Sequence, residues 1–404
     1  MGDEASERRP GWRGRSIPSL LIICFPTLVF DAFRVPLKPV LAPLPQLLDN
    51  IMIMEKFELP ITSSPVPSSS FSELTAVSAG TAEDLDRQSK ERLGRYVAAS
   101  ERDNVVQLMD AFMKYLPKDG SVRLMQDVIS LDEDEKLRQL KEHLVDAILK
   151  PIQAVGGRTP APTPSPCHDS QVQIDSLMIT SMNASSCNQQ AKLKNDCLKR
   201  DGYRCQVTGL WDRHSVETGK IVPEDGRTLA ATEVAHILPF SLGSFDEDKE
   251  FEVENKATIW QALYRYFPGL EKVITPDTIN TPANSITLFH LLHPQFGSLN
   301  ITFKETDQPY VYNIVHKQAN YTEFSYLPRN GQVTFRCHDN SIVMPSPFLL
   351  SVHARIGKIL QVSGLKERFE KIMRSLYHPS EVDPDGSTDL ETAMSDKLFI
   401  LTDV

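Results

Sequence analysis

The chain has no Cys-x-x-Cys pair. Its six cysteines stand apart at 24, 167, 187, 197, 205 and 337, so the usual signature of a structural zinc site is missing. They are too scattered in 404 residues for a disulfide framework, and reduced, intracellular thiols in the nucleus or cytoplasm are the expectation. An unbroken apolar run of the ~20 residues a membrane span needs is also missing. The nearest approach, Ile17 to Phe33, is interrupted by Pro18, Pro26 and Asp31. Arg8, Arg9, Arg13 and Arg15 precede it, which keeps a signal or anchor at 17–33 as the alternative to an extension with no targeting role. No membrane contact is otherwise expected. Positive charge is scarce: the formal net charge is −10, which disfavours coating of nucleic acid by bulk electrostatics but leaves room for a local basic surface. Internal repeats and sustained heptads are absent.

What is present divides the chain. Residues 1–80 read as a largely disordered extension, with the Ser- and Pro-rich run from Ser63 to Ser72 favouring extended, solvated backbone. Apolar residues at helical spacing, among them Leu93, Val105, Leu108, Met109 and Phe112, predict helix over 82–116, closed by Pro117. A second helix is expected over about 132–150, with Asp132 as N-cap and Pro151 as stop. Together they make a small helical region, 82–153. Residues 154–185 read as a Pro/Ser/Thr-rich linker, with GGRTPAPTPS at its start. The expected second domain runs over 186–378. It ends in strand candidates at 310–315 and 333–337 and a helix from Pro347 to about Tyr377 that Gly364 bends or divides. An acidic tail, 379–404, follows; from Glu381 onward it carries seven acidic residues against one lysine.

Chemistry concentrates in three segments of the second domain. RDGYRCQVTG (200–209) combines an Asp-Gly turn signal with a β-prone stretch. TEVAHILPF (232–240) reads as a short strand with His236 near its end and Pro239 closing it. NTPANSITLFHLLHPQF (280–296) places Asn284 before an apolar run read as helical, with His293 nine residues beyond the Asn and His290 between them. Hydrolysis of an anionic phosphodiester needs an activated water and positive charge at the phosphate. A neutral imidazole can take the proton of water near pH 7, a divalent cation can supply the charge, and an Asn amide can hold an imidazole in one orientation. From Lys192 to His214 there are six basic residues against three acidic, which nominates Lys199, Arg200 and Arg204 as phosphate contacts. A solvated helix surface explains the same excess equally well.

These three segments resemble the HNH endonuclease superfamily, and most nearly the HNH-containing proteins of filamentous fungi. The resemblance covers about 190–300. It implies an α+β fold built on a ββα-metal (HNH) finger, with flanking helices and short strands. It also implies His236 as general base, Asn284 as the structural Asn, His293 as metal ligand, Mg²⁺ or a similar divalent ion as cofactor, and nucleic acid as substrate, DNA ahead of RNA. Two positions depart from the family pattern. Ala235 stands where active members carry Asp, Glu or His as a second ligand. Glu233, two residues back on the same strand face, is the candidate substitute, displaced by roughly 6–7 Å along the strand. Paired zinc knuckles are replaced by Cys205 alone, so packing, with Trp211 and Phe240, must hold the module together. The expected function is metal-dependent endonuclease; the alternative, favoured by Ala235, is an inert HNH-fold module that binds nucleic acid or a protein.

Overall fold

The structure, a computed structural model, describes residues 79–153, 162–180, 190–223, 226, 228–316 and 322–369. The expected extension at 1–78, the candidate signal or anchor at 17–33 and the acidic tail lie outside them. Helices α1 (Ala79–Gly94), α2 (Val105–Tyr115), α3 (Lys118–Ser130), α4 (Asp134–Leu144) and α5 (Lys150–Gln153) come first. The helix predicted over 82–116 is therefore two, separated at 95–104, and α3 was not foreseen. Pro151 does not stop the second predicted helix. A π turn at Val145–Leu149 precedes it and leads directly into α5, and the wider turn accommodates a residue that lacks an N–H to donate. The N-cap of α4 is Glu133, not Asp132; the Asp132 carbonyl instead accepts from Arg92.

Within the span read as linker, residues 168–180 form α6 (His168–Thr180). It packs along α9 (Glu250–Tyr266), and Gln173 accepts from the buried Gln261 of that helix. The remaining elements are α7 (Gln190–Arg200), β1 (Trp211–Asp212), α8 (Arg213–Glu217), β2 (Leu229–Ala230), β3 (Thr232–His236), β4 (Ser285–Phe289), α10 (Leu292–Gly297), β5 (Ile301–Glu305), β6 (Val311–His316), β7 (Gln332–Thr334) and α11 (Pro347–Val362). Three small sheets result: β1 beside β2, β3 antiparallel to β4, and the antiparallel meander β5-β6-β7. The last predicted helix is divided as expected, since Gly364 adopts φ +73° and helix resumes at 365–369.

One hydrophobic cluster runs from Leu93 and Phe112 through Leu144 and Ile148 to Leu263, Phe296, Phe303 and Leu360. The stretch at 154–185 therefore does not separate two cores. Helix α9 explains why: every residue from Lys256 to Tyr266 is buried, so most of its polar groups find partners in the surrounding elements. Lys256 donates to the Ser241 carbonyl, Trp260 to that of Leu242 and the Tyr264 hydroxyl to that of Ile274. Burial pushes the Lys256 ammonium down to about 8. Arg265 forms a fork on Asp127 of α3 and also reaches Asp169 of α6, while the Tyr266 hydroxyl donates to Asp127. The approach of α3 to α9 requires glycine at 120, where an added Cβ would lie 1.9 Å from the Tyr266 carbonyl oxygen. Gly120→Ala is expected to destabilise the protein by about 1–3 kcal/mol, as overpacking does. Thermal unfolding checks this, and an unchanged Tm would contradict the close approach.

Candidate active site

Strands β3 and β4 pair in register from Thr232 opposite Phe289 to His236 opposite Ser285. The apolar run after Asn284 is therefore a strand, not the helix its spacing suggested. All five residues of β4 are buried, and a strand covered on both faces loses the alternation that identifies it. The helix begins only at Leu292, and α10 packs back on both strands. His290 accordingly sits in the turn after β4 rather than one helical turn before His293, its backbone N–H bonded to the Ala231 carbonyl. The expected strand at 203–208 reduces to a turn with a single bridge from Arg204 to Trp211.

Asn284 ends a short 3-10 turn and is fully buried. Its side-chain oxygen accepts from the Leu238 N–H at 2.9 Å, its nitrogen donates to the carbonyls of Leu238 and Ile279, and its own carbonyl accepts from Ile237. The amide thus clamps the backbone just beyond His236 without touching the imidazole. The group that meets the ring is Asn280, absent from the sequence reading, whose Oδ1 lies 3.1 Å from His236 Nε2. With that oxygen facing the ring, Nε2 carries the proton and donates, leaving the Nδ1 lone pair available. Phe240 borders the ring at 5.8 Å between centroids. Burial first, with the charge of His293 adding, lowers the His236 pKa from its usual value, against a smaller opposing effect of Asn280.

Glu233 and His293 meet: Oε2 lies 2.5 Å from Nδ1, and both side chains are partly exposed, at 52% and 37%. Ala235, by contrast, is fully buried. Among the described residues no three His, Cys, Asp or Glu side chains converge as a metal cage. An Mg²⁺-like ion does not require one. Such ions keep several waters and bind through one or two protein groups plus phosphate oxygens, and neighbouring ligands on an octahedral ion with bonds of ~2.1 Å lie ~3 Å apart. The Glu233 carboxylate and His293 imidazole are a partly exposed donor pair whose 2.5 Å hydrogen-bond separation would have to open to that spacing if both held one ion.

The nominated phosphate contacts separate. Lys199 is exposed on α7. Arg200 is not a surface group: it is fully buried, forked on Asp201, and donates to the carbonyls of Pro282, Ser285 and Val343. Asp201 in turn accepts from the Thr287 N–H and from Gln206. A count of basic residues in sequence cannot register that burial. Arg204 is half-buried, its guanidinium 3.7 Å over the buried Trp211 ring.

Residues 205–304 match a family model described as HNH endonuclease. The chain carries an HNH endonuclease-family domain. The match takes in β3, β4, α10 and all of His236, Asn284 and His293, and covers 100 of the 404 residues. No curated protein and no solved structure matches the chain. The HNH domain supports a nuclease-type function and nucleic acid as its partner. No helix among the described residues is long and apolar enough to cross a membrane.

In place of the zinc knuckles that many HNH proteins carry, the buried Arg200 and Asp201 pair, just ahead of the matched residues, ties together the segments at 282–287 and 343. Removing one partner of a buried pair costs about 3–5 kcal/mol because it strands the other charge. Arg200→Ala is expected to lower unfolding stability by that amount in urea titration. A loss below about 1 kcal/mol would show that the pair is not the brace.

Proposed function

We propose that the protein is a metal-dependent HNH endonuclease that hydrolyses nucleic-acid phosphodiester bonds, DNA being the first substrate to test. The supporting observation is that Glu233 and His236 stand on one strand of an antiparallel pair with α10 packed against it, that His293 of this helix meets Glu233, and that Asn280, in the turn before β4, meets His236. His236 Nδ1 takes a proton from water. The water oxygen forms a bond to phosphorus, the bond from phosphorus to the ester oxygen breaks, and the departing oxygen is protonated from solvent. Asn280 holds the ring with Nε2–H donating, and Asn284 fixes the backbone beyond the ring. Glu233 and His293 would hold the divalent ion, which when bound supplies positive charge to the phosphate and the departing oxygen. Free thiols at Cys167, Cys197, Cys205 and Cys337 suit a reducing setting in the nucleus or cytoplasm.

One observation favours a second reading, an inert HNH-fold module that binds nucleic acid or a protein: the ligand position before His236 is filled by the buried Ala235. Plasmid nicking with Mg²⁺ or Mn²⁺ separates the two. Wild type is expected to nick, and His236→Ala to lose at least about 100-fold in rate, the lower end of general-base contributions. Nicking that survives the substitution removes His236 as base, and a folded wild type inactive with every divalent ion establishes the inert module.

The lowered His236 pKa gives a pH dependence of definite sign. The base works unprotonated, so activity should rise with pH and reach its plateau with a midpoint below the ordinary imidazole value of ~6.5. Asn280→Ala should lower kcat with less effect on KM and move that midpoint, because the ring loses its partner but keeps its burial. A pH profile identical to wild type would exclude Asn280 as the positioning group.

A further inference from the structure

A cavity of about 490 Å³ lies between the 204–209 turn and the strand and loop at 326–338, and neither Glu233 nor His293 lines it. Arg204, Arg336 and His338 line it, with Thr208, Gln332 and Tyr326 also in its wall. The volume lies within the roughly 300–1,000 Å³ of small-ligand sites. The one carboxylate in the wall, Asp201, is already bound to Arg200. Two arginines therefore line a cavity in a chain whose net charge is −10, Arg204 with its guanidinium over the Trp211 ring, and among the described residues no carboxylate pairs with Arg336. Their proximity to His338 is also electrostatic: burial first, then Arg204 and Arg336, lower its pKa.

The cavity wall is fixed by hydrogen bonds. Gln206 accepts from the Arg336 N–H, and its amide donates to the Arg336 carbonyl and to Asp201. His338 donates its N–H to the Arg200 carbonyl, and its ring closes over Gly202, where an added Cβ would meet it at 2.6 Å. Tyr326 is 45% exposed and packs edge-on against Phe289 at 5.0 Å. Phe289 ends the strand that begins opposite His236, four residues or roughly 13 Å away.

We propose that this cavity is a second nucleic-acid site, in which Arg336 and Arg204 bind a backbone phosphate and the exposed Tyr326 ring takes a stacked base of the same strand. Guanidinium forks match phosphate oxygens, and aromatic platforms bind single-stranded bases irrespective of sequence. The proposal deepens the nuclease reading by giving the substrate strand a holding point outside the reacting centre. Its test is read without metal or cleavage, so an inactive protein that still binds leaves it standing.

The test is fluorescence anisotropy of a labelled single-stranded 12-mer, as DNA and as RNA, on the full chain in EDTA over a series of salt concentrations. Arg336→Glu should weaken binding on the order of tenfold and reduce the slope of log affinity against log salt by about 0.7, one phosphate contact on a single strand. Tyr326→Ala should weaken it at least about fivefold with the slope unchanged, because stacking releases no counterions. Lys118→Glu, the same charge change at the exposed start of α3, should do neither, and wild-type Tm in all three variants establishes that they fold. A polyglutamate of matched charge should fail to compete. Equal loss in Lys118→Glu, unaltered binding in both cavity variants, or full displacement by polyglutamate would each overturn the proposal.

Discussion

The buried pair of Arg200 and Asp201 is the constraint on which the site depends. It lies at the end of α7, where four chain segments meet, and no side-chain bond of either residue leads to solvent. The guanidinium holds the carbonyls on either side of Asn284, and the carboxylate holds the Thr287 N–H, so the start of β4 is fixed from both sides. Burial works against the charge on Arg200, but its contacts with Asp201 outweigh that and raise its pKa. Such a node resembles a metal knuckle in function: it joins segments distant in sequence through directional bonds, using side chains that fold with the core.

From that node the geometry propagates in steps. A fixed β4 presents Asn284 to the chain leaving β3, and the Asn284 amide bonds both the N–H and the carbonyl of Leu238. The end of β3 is then set, and with it His236. The same strand pair receives α10, which brings His293 to Glu233. The preceding helices join this frame through α9. The contacts of Asp127 with Arg265 and Tyr266, and the shared core from Phe112 to Leu360, make α9 the junction between them.

Much of this was legible from residue order and some was not. His236 on a strand and His293 on a helix could be read from the segments that carry them, and the family resemblance, carried by the spacing of Asn284 and His293 and by the neighbours of His236, singled out the three together. Glu233 could be named once the resemblance called for a ligand at 235, because strand periodicity puts it on the same face as Ala235. Asn280 carried no such signal; it lies in a turn, and only the fold brings its amide to the ring. Arg200 was misread because a run of basic residues looks the same whether its members are solvated or buried. The insertion helix was legible, since Asn255 to Phe267 reads as helix and lies almost wholly within α9, whereas the β4 segment was obscured by burial on both faces, which removes the period that patterning relies on. α3 was hidden by Gly120, unfavourable in an isolated helix yet required where α3 meets α9.

Under the proposed function, Glu233 stands in for the ligand missing at 235 and shares a divalent ion with His293. Crystals of the protein soaked in Mn²⁺ and recorded at an anomalous wavelength decide this. The expected result is an anomalous peak in contact with the Glu233 carboxylate and the His293 imidazole. A peak elsewhere, or none while those two side chains stay hydrogen-bonded to each other, would contradict it.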